Sequence, residues 1–192
     1  KLLEVIDVNL AKYKVNGKEL ELVQGDITQA RADAIVNAAN SSLMGGGGVD
    51  GAIHRSAGPR LLESCKEIVN KQGKLPAGQA VITPGFDLTA SYVIHTVGPI
   101  WRGGNENEED ILQAAYVNCL DIAAYYDLKE VAFPAISCGA YGFPLQKAVP
   151  IALNALKNGL EQKKAEKVAI YLFSATDWQK WKDVADELLA AK

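Results

Sequence analysis

Residues 34–54 read AIVNAANSSLMGGGGVDGAIH, and the fold is decided here. Residues 34–37 form a short apolar run of strand length. From Val49 onward, Ala52, Ile53 and Ala57 return at helical spacing. Between the two lies a polar loop ending in four glycines, Gly45 to Gly48. A backbone without Cβ atoms turns sharply and lets a ligand approach closely. Its N–H groups then face an anion, and the positive end of the next helix adds to them. A phosphate-bearing ligand fits such a cradle without any lysine. The competing reading is a flexible surface turn. Against it stand the strongly patterned flanks and the bracketing polar residues Asn37, Asn40 and Asp50.

Working outward, the pattern keeps alternating. Residues 12–24 read as a hairpin: Tyr13, Val15, Leu20 and Leu22 alternate with polar residues around Asn16-Gly17, a type I′ turn signal. Gly58-Pro59 stops the first helix and starts a second, with Leu61, Leu62, Cys65, Ile68 and Val69 at helical spacing. Strands are predicted over 80–83 and 92–96, then a helix over 108–125 burying Ile111, Leu112, Ala115, Cys119 and Ile122. A strand over 131–134, a helix over 145–160, a strand over 168–173 and a helix over 178–189 complete the chain. Strands separated by helices imply an α/β sheet covered on both faces. The polar loop over 103–110 carries carboxylates that suit a helix N-terminus.

Composition narrows the class. The 192 residues are 48% apolar and 22% charged, ordinary for one globular domain with a substantial core. A formal charge of −3 offers no cationic excess for counterion release, so nucleic acid is not an expected partner. Cys65, Cys119 and Cys138 are too few and scattered for a disulfide framework or a thiolate metal cage, which fits a cytoplasmic protein. The apolar runs are strand-sized, so no membrane span is predicted, and residues 1–10 carry no signal-peptide core. The missing initiator Met suggests numbering that starts inside a longer precursor.

A second glycine-bearing loop, Ser137-Cys138-Gly139-Ala140-Tyr141-Gly142, follows the strand over 131–134 and leads into a helix with Pro144 near its first turn. Two such loops at strand ends suggest one crevice for an extended, phosphorylated ligand. Tyr141 walls the crevice or belongs to the core; spacing leaves both open. Gly46-x-Gly48-x-x-Gly51 formally matches the dinucleotide fingerprint, but its glycines do not directly follow the strand, and Lys71 stands where an acidic residue is required. No Gly-Lys-Ser/Thr follows, which excludes a Walker loop.

These motifs resemble the macrodomain family, specifically its MacroD-type branch of ADP-ribosyl hydrolases and O-acetyl-ADP-ribose deacetylases. The resemblance is carried in order by VQGDIT at 23–28, IVNAAN at 35–40, GGGGVDGAIH at 45–54, HTVGP at 95–99, and FPAIS at 133–137 with Gly139 and Tyr141-Gly142. It runs from about Leu20 to the last helix. Cys138 departs from the branch, which usually has Thr there.

The resemblance implies a three-layer α/β/α sandwich on a mixed central sheet, spanning residues 1–192 as one domain. Residues 1–17 would be an extension packed on or beside the sheet. It implies ADP-ribose and its esters as ligands, ADP-ribosylated proteins as partners, and no cofactor. By position, Asp26 would accept from the adenine amino group, Ile27 would contact the ring and Phe173 would stack on it. Gly46, Gly47, Gly48 and Val49, with Ser137, Cys138, Gly139, Ala140, Tyr141 and Gly142, would hold the diphosphate. Asn40 would bind the distal ribose, supported by Asn37. Asp50 marks the hydrolytic branch.

Read from position alone, Asp50 sits near a helix N-terminus, where the dipole suits a carboxylate. It would orient water with little strength as a base, leaving the ligand's phosphate to share the proton work. A helix-capping role is the alternative. His54 lies one turn further on the same face, as a partner of Asp50 or a packed histidine. His95, within a strand, reads as structural. Neither a His pair nor a thiolate pair is available for a metal. With the resemblance, three functions are open: an ester hydrolase acting on ADP-ribosyl-Asp/Glu or O-acetyl-ADP-ribose, a non-catalytic ADP-ribose binder, or a regulatory partner of another protein or of RNA, the acidic balance arguing against RNA.

Overall fold

The computed structural model describes residues 9–189. Among the described residues, seven strands and five α-helices follow one another: β1 (Leu10–Val15), β2 (Lys18–Gln24), β3 (Ala34–Ala39), α1 (Gly48–Ala57), α2 (Pro59–Gln72), β4 (Ala80–Pro84), β5 (Tyr92–Val97), α3 (Glu108–Tyr125), β6 (Glu130–Phe133), α4 (Leu145–Glu161), β7 (Lys167–Leu172) and α5 (Ala175–Leu189). One turn of 3-10 helix, Ile27–Gln29, follows β2. The strands form a single sheet in the order β1-β2-β7-β6-β3-β5-β4. The five inner strands are parallel, and β1 and β4 pair antiparallel at the two edges. This is the expected mixed sheet.

Alternation along each strand divides the core in two. Ala34, Val36, Val131, Phe133, Ile94 and Ile170 enter the larger core beneath α3, α4 and α5. Ile35, Val93 and Ala132 point the other way and pack with Ile53, Ala57 and Leu61 of α1 and α2. Three layers result. α5 is further tied down by the Trp178 indole, which donates to the Leu22 carbonyl at 3.0 Å.

The differences from the sequence reading are local. The strand expected over 131–134 runs from Glu130 to Phe133, because Pro134 has no N–H for the ladder. The last strand ends at Leu172, leaving Phe173 outside it and 90% exposed. The helix expected from residue 178 begins at Ala175. There the Ser174 hydroxyl accepts from the Asp177 amide at 3.1 Å, a cap that the sequence reading overlooked. On α3, Ile111 and Ile122 are only half-buried, while Tyr116 and Leu120 lie in the core. The Asn16-Gly17 turn has positive φ at both residues, 49° and 76°, as a type I′ hairpin requires. Of the expected N-terminal extension, residues 10–15 form β1 on the sheet edge, and residues 1–8 lie outside the described residues.

Candidate active site

The parallel strands β2, β7, β6, β3 and β5 end on the same edge of the sheet. β3 is followed by α1 on one face, and its neighbour β6 by α4 on the other. Their loops therefore part, and a crevice opens at the strand ends between them, the usual ligand position in such sheets.

The loop after β3 reaches α1 through Gly45 to Gly48. Positive φ at Gly45 (84°) and Gly48 (58°) explains the need for glycine at those two positions. Gly51 is required for contact: a Cβ there would run into the Gly46 carbonyl oxygen. Gly47 is the N-cap of α1, with no side-chain cap. The amides of Gly48, Val49 and Asp50 open the helix without intrahelical acceptors, so an anion can take them.

Asp50 is in the first turn of α1 and buried, but it does not cap the helix. Its Oδ1 accepts from Asn37 Nδ2 at 2.9 Å and lies 3.4 Å from His54 Nε2. Its Oδ2 faces Gly46, where a Cβ would stand 3.4 Å from it and 3.7 Å from Asn40 Nδ2. Asn40 is anchored to its own loop, donating to the Gly45 carbonyl at 2.9 Å and accepting from Ser42 Oγ at 2.6 Å. Asn37, Asn40, Gly46, Asp50 and His54 are thus gathered at one point. Asn37 Nδ2 also lies 3.1 Å from Nδ1 of the fully buried His95, whose Nε2 is 2.9 Å from Thr83 Oγ1.

The loop after β6 leaves the neighbouring strand at the same edge of the sheet. Ser137 adopts φ of 65°, and its hydroxyl donates to the Pro99 carbonyl at 2.7 Å. The amides of Gly142 and Phe143 close the turn on Gly139 and Ser137. Those of Gly139, Ala140 and Tyr141 donate to no acceptor among the described residues. Tyr141 is half-buried and lines a cleft of about 310 Å³ with Ser41, Gly98, Pro99, Ile100 and Arg102, so it is a wall rather than a core residue. Burial pushes the Cys138 thiol up to about 12, with the Asp177 charge adding to the shift, so it stays protonated at neutral pH.

At the other end of the crevice, the Gly25 amide donates to the Leu172 carbonyl at 3.0 Å, bringing the turn at Asp26 beside the end of β7 and Phe173. Asp26 Oδ1 accepts from the Thr28 amide and hydroxyl at 2.9 and 2.7 Å, while Oδ2 has no partner among the described residues. Ile27 is buried beneath it.

The sequence reading missed Glu108. This buried carboxylate accepts from the amides of Arg102, Gly104 and Glu106 at 2.6–2.9 Å and folds the loop that walls the 310 Å³ cleft. Those bonds, the Arg102 amide foremost, hold its carboxyl down at about 2. Its signal was the run of carboxylates over 103–110, read as helix-terminal charge only.

A family model described as Macro domain matches residues 36–152. The chain is 50% identical over 171 residues to a macro domain-containing protein of Caldanaerobacter subterraneus, covering 89% of this chain and 98% of that one. It is 56% identical over 139 residues to a Salmonella typhimurium protein named O-acetyl-ADP-ribose deacetylase, covering 72% and 78%. Among solved structures, the Oceanobacillus iheyensis macrodomain with ADP matches at a TM-score of 0.91 and 41% identity, over 94% of this chain and 97% of that one. The Trypanosoma brucei macrodomain in complex with ADP-ribose matches at 0.78 and 36%, over 86% and 68%.

Proposed function

The chain belongs to the macrodomain family, and from that premise we propose that it is a hydrolase that binds ADP-ribose and cleaves esters on its distal ribose. Its substrates are O-acetyl-ADP-ribose, as named for relatives, and proteins carrying ADP-ribose on Asp or Glu. The observation that carries this reading is the placement of Asp50: Oδ1 is tied inward to Asn37, while Oδ2 faces the glycine loop beside Asn40.

The ligand lies along the strand ends. From β2 to β5 the sheet spans four interstrand steps, roughly 19 Å at about 4.8 Å each, which suits an extended ADP-ribose. Adenine stacks on Phe173 over Ile27, with its amino group on Asp26 Oδ2. The diphosphate takes the amides of Gly46, Gly47, Gly48 and Val49 on one side and of the 137–142 loop on the other. Asn40 holds the distal ribose, with Asn37 behind it. Water oriented by Asp50 Oδ2 adds to the acyl carbon, and the ribose oxygen leaves with a proton. Asp50 and the diphosphate share the proton handling. The products are ADP-ribose and a carboxylic acid.

The test is to incubate the protein with O-acetyl-ADP-ribose and, separately, with a protein ADP-ribosylated on glutamate. Release of acid or of ADP-ribose is the expected result. Tight ADP-ribose binding without turnover of either substrate overturns the reading and leaves a binding module.

A further inference from the structure

We propose that His95 is a positioning residue for ester cleavage: through its Nδ1 it holds the Asn37 carboxamide in the one orientation that fixes Asp50. The inference rests on the reading of Asp50 as the group that orients water.

Asn37 and His95 are register partners on adjacent parallel strands, and alternation points both at the face covered by α1. Asn37 Nδ2 has two hydrogens and two close acceptors, Asp50 Oδ1 at 2.9 Å and His95 Nδ1 at 3.1 Å. A flipped carboxamide would set its oxygen against the Asp50 carboxylate. With Nδ2 facing it, Nδ1 of His95 must be the lone-pair nitrogen, which places the ring proton on Nε2. That proton is received by Thr83 Oγ1 at 2.9 Å. Donation therefore runs outward from Asn37, to Asp50 on one side and through His95 to Thr83 on the other.

A second observation points the same way. Asn37 Oδ1 is buried and has no partner among the described residues. Buried amide oxygens are ordinarily satisfied, and exceptions gather where another demand fixes the group. Here the amide is oriented for what its nitrogen holds, at the expense of its oxygen.

The surroundings keep His95 neutral. The groups facing the ring are Asn37, Thr83, Cys65 with Sγ 3.9 Å from Nε2, and His54 with its ring centre 6.5 Å away. Burial first, and then the His54 charge, push His95 down to about 3. Burial and then the Asp50 charge raise Cys65 to about 11. Neither changes charge near neutral pH, so this direction of donation holds throughout that range.

The experiment compares His95→Gln and His95→Asn by turnover of O-acetyl-ADP-ribose and by calorimetric binding of ADP-ribose, each per mole of folded protein. Asn sets its oxygen where Nδ1 stands; Gln fills the ring volume but sets its carboxamide where Nε2 stands. His95→Gln is expected to lower kcat by roughly tenfold to a hundredfold, the scale of a misplaced catalytic group. ADP-ribose affinity is expected to stay within about twofold, since the interaction matters only in the transition state. His95→Asn is expected to bring kcat back to within about threefold of the parent, because the acceptor is restored. Unchanged kcat in His95→Gln, equal losses in both variants, or a matching loss of affinity overturns the proposal. Nitrogen–proton NMR of the ring in the parent protein reads the tautomer directly, whether or not the variants fold. Nε2–H is expected, and Nδ1–H overturns the proposal. Absence of turnover in the parent protein overturns the hydrolase reading and the catalytic part of this inference with it; the tautomer still decides the direction of donation.

Discussion

On the proposed function, Asp50 divides its two oxygens between structure and chemistry. Oδ1 is bound to Asn37 at 2.9 Å, and Oδ2 stays available beside Gly46. Asp50→Ala is therefore expected to lower ester turnover by about 100- to 10,000-fold, the value of a positioned acid–base group. ADP-ribose affinity is expected to hold or tighten, because a negative charge leaves the neighbourhood of the diphosphate. Parallel kinetics and calorimetry check this, and parent-level turnover would reduce Asp50 to a structural residue. At the opposite end, Asp26→Ala is expected to weaken ADP-ribose binding by about 1–3 kcal/mol, the cost of leaving a bound donor unpaired. Thr28 loses its partners as well, so the fold of the variant is checked by its thermal midpoint.

Within the elements, the glycine loop discriminates between space and charge. A side chain at Gly47 meets nothing within 4 Å, and its φ of −96° suits any residue. Gly47→Glu is thus expected to keep the parent's thermal midpoint and lose most of its ADP-ribose affinity, because a carboxylate then occupies the anion cradle. Gly51→Ala is the converse, since its Cβ collides with the backbone at Gly46 and displaces the loop. It is expected to lower the thermal midpoint and the affinity together. The loop from Arg102 to Glu106 depends on a single carboxylate. Glu108→Gln replaces one of the two accepting oxygens with an NH2 donor, so at least one of the three amides is left facing a donor, and a lowered midpoint by thermal melting is expected.

The molecule as a whole carries a buried neutral histidine, and that sets its response to acid. His95 titrates near 6.5 when unfolded and near 3 when folded, so the unfolded chain binds the extra proton first. Its contribution to stability is complete above about pH 6.5 and is lost as pH falls toward about 3. Melting midpoints taken from pH 7.5 down to 4 are expected to fall more steeply for the parent than for His95→Asn; identical slopes would refute this. Much of the architecture was legible in the sequence. Periodicity located every strand and α-helix, and the motif at 35–54 located the glycine loop and Asp50, because these are properties of contiguous residues. Element ends were less legible where one side chain decides them, as at Ser174 and Pro134. The 3-10 turn at Ile27–Gln29 is too short to leave a periodic trace. What only the tertiary structure decided is the company each residue keeps. Sheet order places β3 between β5 and β6, and register sets Asn37 beside His95, 58 positions away in the chain. A histidine in an apolar strand looks the same from the sequence whether it packs or positions. The distinction lies in which nitrogen meets which neighbour, and strand pairing, not local propensity, fixes that.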